Sequence, residues 1–393
     1  MDRNDDAKQH LGHLQGSECC VSMLRDYQMH PTRCFQRMPK GRSGYKIKNR
    51  ALEMKSKTIK FEGKRATSYD VARVAGVSQS AVSRCFKPGA SVSAKTRAKV
   101  EGAAKALGYQ PNAIARGLIS GRSNIVGVLI TKLTNLNYPQ VLSELNRKFA
   151  EKDIHILLFT LDKESDVDKV LEKVWQYQVD GIIAAAQFTE AQISACEDRG
   201  IPLVFYNRLY PQSTVSSVCC DHYEGERSLV EGLLNSGRKS FVVMSGPVDS
   251  SVSTARTQGA VAQLKGMAVD IVELEGDYSY QLACSLTREV MNSASPKPDA
   301  FVCTNDIMAL GCLDTLRIEY KANIPTDISV VGFDGVDAAA WLNYDLTTVL
   351  QPLERMVEAA VDMLLERIEQ PELPAEKRLF AGSIRHGATA QLD

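Results

Sequence analysis

From residue 124 onward the chain alternates short, β-rich apolar runs with amphipathic helical segments, and few folds accept that rhythm. "NIVGVLI" precedes the helical "PQVLSELNRKFAEKD"; "IHILLFT" precedes "VDKVLEKVWQYQ"; then come "DGIIAAA", "PLVFYN", "SFVVMSG", "VDIVEL", "AFVCT" and "ISVVGF". Continuous apolar strands separated by helices predict parallel sheets covered on both faces. These strands are too many for one small sheet, so two doubly wound lobes with a cleft between them fit better. "GVLITKLTN" is not a Gly-x-Gly-x-x-Gly turn, and the chain has no Walker-type Gly-Lys-Ser/Thr loop, so a nucleotide-phosphate motif is absent.

The stretch ahead of this body has a different character. The whole chain is neutral, with 47 Lys+Arg against 47 Asp+Glu. Yet residues 1–65 carry 15 basic against 7 acidic side chains, residues 66–120 carry 8 against 2, and residues 121–393 carry 24 against 38. A basic front on an acidic body implies that the front meets an anion.

Residues 1–65 show no sustained apolar period and read as a basic, disordered leader; an equal alternative is an upstream extension with Met54 as the true start. The 10 cysteines include the neighbours Cys19–Cys20 and Cys219–Cys220 but no Cys-x-x-Cys or Cys/His metal spacing. Reduced thiols, no metal and no cofactor are expected. With no apolar run of spanning length and no secretory signal, the expected location is cytoplasmic, with no membrane partner.

"TSYDVARVAGVSQSAVSRCF" opens with a Thr cap and sets Val71, Val74 and Val77 apart at helical spacing. Helix, a turn at Gly76, then a helix from Ser78 to about Phe86 is the helix-turn-helix pattern. Ala72 is small where the two helices cross, Gly76 accepts a left-handed backbone, and Val82 pins the second helix. Ser78 caps that helix, whose N-terminus attracts phosphate. Gln79, Ser80, Ser83 and Arg84 form its exposed face, free of carboxylates and able to reach base edges in a major groove. Alone, the pattern also fits an ordinary helical hairpin. Ser93 caps a third helix, Ala94 to Leu107, which Gly108 ends.

This segment resembles the DNA-binding headpiece of the lactose-repressor and galactose-repressor family. The resemblance rests on Asp70-Val71-Ala72, Ala75-Gly76-Val77-Ser78, Val82-Ser83-Arg84, Val92-Ser93, Thr96-Arg97, Val100, Leu107-Gly108-Tyr109 and Pro111-Asn112. It continues through the α/β remainder and leaves only the leader outside. It implies a multidomain chain: leader 1–65, all-α helix-turn-helix headpiece 66–111, hinge helix and linker 112–123, and a two-lobed α/β ligand-binding and dimerisation domain 124–393 like the periplasmic sugar-binding proteins. Gln79 and Ser80 then select the base sequence, Arg84 contacts a base, and Thr67, Ser78, Ser83 and Asn112 position the backbone. "NAIARGLIS" resembles the hinge helix that enters the minor groove as a pair. Leu118 in it matches the leucine that wedges between base steps; its bland alternative is a linker residue packed on the body. Gly117 departs from the family's larger residue and weakens the helix off DNA by about 1 kcal/mol.

In the body the resemblance points to an effector site. Arg256 matches the arginine that forks onto ligand oxygens; Asn305 and Asp334 follow strand ends where a cleft forms; Tyr278 matches an aromatic that stacks on a ring face. Asn137 and Tyr138, on the loop after the first strand, and Gln187, after the third, complete the set. Duller roles stand beside these: Asp306 as a helix cap, Asp334 as a turn cap, Tyr138 as core. Of the six histidines none sits in a nucleophile or metal motif, and His222 reads as a surface or capping group.

The leading expectation is a ligand-responsive transcription regulator, a repressor, binding a palindromic double-stranded DNA operator as a homodimer, with a sugar-like small molecule or sugar acid as effector. "RLFAGSIRHGATAQLD" closes the chain without the leucine heptad of the tetrameric members, hence a dimer. The alternatives are a solute-binding module for transport, which needs a secretion signal and no headpiece, and an α/β enzyme, for which no nucleophile, metal set or phosphate loop is present.

Overall fold

The computed structural model describes residues 65–87, 89–111, 122–131, 135–163, 166–209 and 214–393. Asn112 and Leu118, with the hinge segment around them, lie outside the described residues.

Three helices form the first unit of structure: α1 (Ser68–Ala75), α2 (Gln79–Cys85) and α3 (Ala94–Leu107). Thr67 opens α1 with a reciprocal box, its side chain accepting from the Asp70 amide while Asp70 accepts from the Thr67 amide. That satisfies two otherwise orphaned donors. The Thr67 hydroxyl donating to Asp70 holds that carboxyl below the usual carboxylate range. Gly76 ends α1 at φ 65°, a left-handed position that costs any other residue a steric penalty. Ser78 caps α2 and Ser93 caps α3. Val71, Ala72, Ala75, Val82, Cys85, Val100, Ala103 and Ala104 pack into one small core. Its small residues let the helix backbones approach closely. Arg97 donates to the Cys85 carbonyl at 2.7 Å, tying α3 to the end of α2.

The α/β body holds two six-stranded sheets. Strands β1 (Ile125–Thr131), β2 (His155–Leu161), β3 (Gly181–Ala185), β4 (Leu203–Tyr206), β5 (Ser216–Cys220) and β11 (Lys377–Phe380) build the first, in the order β11-β5-β4-β3-β1-β2. The second contains β6 (Ser240–Ser245), β7 (Asp270–Glu275), β8 (Ala300–Cys303), β9 (Ser329–Asp334), β10 (Thr347–Leu350) and β12 (Ser383–Arg385), ordered β12-β10-β9-β8-β6-β7. All pairings are parallel except β10 with β12. The order reverses beside β1 in one sheet and beside β6 in the other, which is the doubly wound arrangement the apolar rhythm predicts.

Helices α4 (Asn137–Ala150), α5 (Val167–Gln176), α6 (Glu190–Glu197), α7 (His222–Asn235), α8 (Ser251–Leu264), α9 (Tyr280–Ser293), α10 (Asp306–Ile318) and α11 (Leu353–Glu369) cover the sheets. The chain passes between lobes three times: from β5 into α7, from β10 into α11, and from β11 to β12. β5, β10, β11, β12 and α11 are elements that the apolar rhythm does not announce. β10–β12 are only three or four residues long, and all but β5 fall in the last third of the chain.

Candidate effector site and DNA-reading face

The carboxyl ends of both sheets face a cavity of ≈ 820 Å³. Its walls include Thr131, Tyr206 and Asn207 from one lobe, and Ser250, Arg256, Tyr278 and Asp334 from the other. This is where open α/β sheets bind ligands, outside strand ends.

Arg256, on the first turns of α8, organises the floor. It is 2 % exposed. Its Nε donates to His222 Nδ1 at 3.2 Å, Nη1 to the Thr304 carbonyl at 2.7 Å and Nη2 to Asp334 Oδ1 at 2.7 Å. The guanidinium lies over the Phe333 ring, 3.8 Å from its centroid. Since His222 Nδ1 accepts, its Nε2 carries the proton and donates to Asn207 Oδ1 at 2.9 Å. Burial, reinforced by the charges of Arg256 and Arg208, keeps His222 neutral, well below its ordinary pKa. The chain Asn207–His222–Arg256–Asp334 thus joins a strand end of one lobe to a strand end of the other.

Asp334 ends β9 with φ 124°, a backbone region that side-chain-bearing residues rarely enter and that marks functional positions. Its Oδ1 also accepts from Gln351 Nε2 at 2.7 Å. Burial pushes the Asp334 carboxyl up, and Arg256 pulls it back. Gly246 allows Tyr278 to lie flat on the backbone: a Cβ there would stand 2.3 Å from the ring. Burial pushes the Tyr278 phenol up to about 12.

Of the residues expected at the effector site, Asn137, Tyr138, Arg256, Tyr278 and Asp334 line the cavity. Asn137 and Tyr138 belong to the first turn of α4 rather than to a loop. Tyr138 is both core and lining: it is 8 % exposed, with its hydroxyl 3.0 Å from Thr131 Oγ1. Two of the expected positions are not among the residues lining the cavity. Gln187 follows the end of β3, is exposed, and is not among the residues lining the cavity. Asn305 is buried and caps α10, its Oδ1 accepting from the Met308 amide at 3.0 Å. The cap is therefore Asn305 and not Asp306. The Asp306 carboxylate turns inward and accepts from the Gly335 and Val336 amides and the Thr348 hydroxyl. His222 is likewise no surface group, being 4 % exposed within the floor.

Sequence reasoning missed Asn207, Arg208 and His222. For Asn207-Arg208 a signal existed: a polar pair directly after the apolar "PLVFY" is the pattern of a strand end at a cleft. Among the described residues no group of His, Cys, Asp and Glu is arranged to hold a metal ion, and no helix is long and apolar enough to cross a membrane.

On the three-helix unit, Ser78 Oγ accepts from the Ala81 amide at 3.2 Å and lies 3.0 Å from Ser80 Oγ. Gln79 is half-buried, its Nε2 donating to Ser68 Oγ at 3.4 Å. Ser80, Ser83 and Arg84 are exposed on the same short helix, while Val82 and Cys85 face the core.

Residues 67–112 match the bacterial regulatory proteins of the lacI family, and residues 230–389 match a periplasmic binding protein-like domain. The chain is 30% identical over 330 residues to the ribose operon repressor of Escherichia coli (strain K12), covering 79% of this chain and 96% of that one. It is 30% identical over 304 residues to catabolite control protein A of Priestia megaterium, covering 76% and 91%. A solved Lac repressor dimer, bound to operator and the anti-inducer ONPF, superposes with a TM-score of 0.74 at 27% identity, covering 83% of this chain and 99% of that chain. The chain belongs to the lacI family of bacterial regulatory proteins.

Proposed function

We propose that the protein is a repressor that binds a palindromic operator as a homodimer and loosens or tightens that grip when a sugar-like effector enters the cleft, a regulator held on the nucleoid by its DNA contacts. The reading rests chiefly on the face of α2. Ser78, Ser80, Ser83 and Arg84 stand outward from a capped helix whose other side is core. Arg84 is suited to guanine and Gln79 to adenine; Thr67, Ser78, Ser83 and Asn112 position phosphates, and Leu118 wedges the minor groove. One headpiece reads too few bases, so two act on a two-fold site.

The partner surface we assign to the second copy is the corner of α10 and the loop after β9. Ile318, Trp341 and Leu342 are 63 %, 60 % and 99 % exposed there, and Arg317 ties the two segments together through the Asn343 carbonyl. Exposed apolar residues gathered in this way mark an interaction face.

In the cleft, Arg256, Asp334, Tyr278, Asn137 and Tyr138 are the proposed effector contacts. Asp334 accepts from ligand hydroxyls and Tyr278 offers a ring face. The domain boundaries we adopt are 66–111, 112–123 and 124–393. The effector shifts the population of lobe arrangements, and a differential affinity worth about 1–3 kcal/mol changes operator affinity 5–150-fold. The test is fluorescence anisotropy on palindromic duplexes from the gene's own neighbourhood, across salt and with a panel of sugars. Sequence-specific binding that falls steeply with salt and responds to one sugar is expected; no binding at low salt refutes the proposal.

A further inference from the structure

Helix α7 buries His222, Glu226, Leu229, Val230 and Leu233 on one stripe. A carboxylic acid occupies a core position of that stripe. Glu226 is 0 % exposed, and neither Oε1 nor Oε2 has a hydrogen-bond partner. It lies one helical turn beyond His222, whose ring receives the Arg256 Nε–H. The preceding Gly225 packs against Phe333, the ring beneath the Arg256 guanidinium. Arg256, Asp334 and Asp306 all act on Glu226 electrostatically. The ionisable groups facing it are therefore Arg256 from α8, Asp334 from β9, Asp306 from the start of α10 and the Cys303 thiol from β8. His222, on its own helix, is neutral.

A buried carboxylate without donors is among the most expensive groups a fold can hold. The single guanidinium of this cluster is already engaged by Asp334. Asp306 has three donors of its own. Glu226 has none, so the acid form is the one that fits.

We propose that Glu226 is a positioning residue of the effector site: a neutral carboxylic acid behind the Arg256–Asp334 pair, whose ionisation competes with Asp334 for Arg256 and disengages the guanidinium from the cavity floor. The proposal rests on the effector-site reading for its consequence but not for its first test. Burial pushes the Glu226 acid well above its ordinary range. An acid raised in the folded state stabilises fully below its unfolded pKa and loses that contribution as pH rises toward the folded one, up to about tenfold in the folding equilibrium per pH unit.

The experiment uses the full chain. Infrared titration of protein carrying 13C-labelled glutamate, wild type minus Glu226→Gln, should show the carbonyl stretch of a protonated carboxyl at neutral pH, lost on alkaline titration. Thermal midpoints should favour Glu226→Gln by a margin that widens as pH rises from about 4.5. The Arg256 Nε–H resonance, protected by His222, should weaken in wild type over the pH range of the infrared transition and persist in Glu226→Gln. Should Glu226→Gln fail to fold, the labelled wild type alone still decides. Absence of the protonated band at neutral pH, or an Arg256 resonance unmoved across the transition, overturns the proposal. Neither result bears on whether a sugar binds the cleft, which the anisotropy measurement decides separately.

Discussion

Arg256 Nη2 and Asp334 Oδ1 meet at 2.7 Å in the floor of the cleft, with side chains 2 % and 4 % exposed. A pair this buried is worth little against an apolar replacement but much against the loss of one partner. Asp334→Ala should cost about 3–5 kcal/mol by stranding the guanidinium, and Arg256→Met with Asp334→Leu should cost far less than the sum of the single changes. Urea unfolding of the four proteins closes the cycle; additive losses would show that the two residues do not act as a pair. At Asp334→Asn, where the fold is kept, effector-induced change in operator affinity should vanish.

The expected strand ends, caps and turns were legible because local chemistry dictates them. Thr67, Ser78 and Ser93 each accept an amide proton at the predicted helix start, and Gly76 and Gly108 take the left-handed backbone at the predicted stops. Arg256 and Asp334 were legible through resemblance. His222 and Glu226 were not, since their neighbours in sequence, Asp221, Tyr223, Glu224 and Arg227, make the start of α7 look solvated. Only the packing of α7 against α8 turns those two inward.

Arg84 projects from the outward side of α2, opposite Val82 in the core. Arg84→Ala should cost about 1–3 kcal/mol in operator binding and relax specificity at one base pair per half-site. Binding to scrambled duplex should weaken far less. A uniform loss on both duplexes, with a reduced salt slope, would reassign Arg84 to phosphate.

Leu118→Ala should weaken specific operator binding while leaving effector affinity unchanged, because a wedge acts only where the duplex is kinked. Anisotropy on the operator and calorimetry with the effector separate the two. Equal loss of both would place Leu118 in the body's packing instead.

Leu342, the most exposed apolar side chain of the described residues at 99 %, should tolerate charge in a monomer and not in a dimer. Leu342→Asp should shift sedimentation at micromolar concentration from dimer toward monomer and weaken operator binding by the loss of the second headpiece. Unchanged sedimentation would move the interface elsewhere, and a stable wild-type tetramer would contradict the dimer.

His222 and Glu226 act on stability with opposite signs. His222 is held well below its ordinary pKa by burial, so the unfolded chain binds a proton near pH 6.5 that the folded chain refuses. Its contribution is complete above that pH and lost on acidification, by up to about 1.4 kcal/mol per pH unit. Glu226, raised by burial, loses its contribution in the other direction, as does Asp306, pushed up to about 7 by burial. Between about pH 4.5 and 6.5 the His222 slope opposes those of the two carboxyls and cancels only one of them. Gln offers the same donor and acceptor as the His222 tautomer, one to Asn207 and one to Arg256. His222→Gln should therefore fold and gain stability relative to wild type as pH falls through this window, while Glu226→Gln should lose stability relative to wild type. Unfolding free energies at half-unit pH steps read both slopes, and parallel curves for the two variants would mean that neither group holds the protonation state its burial demands.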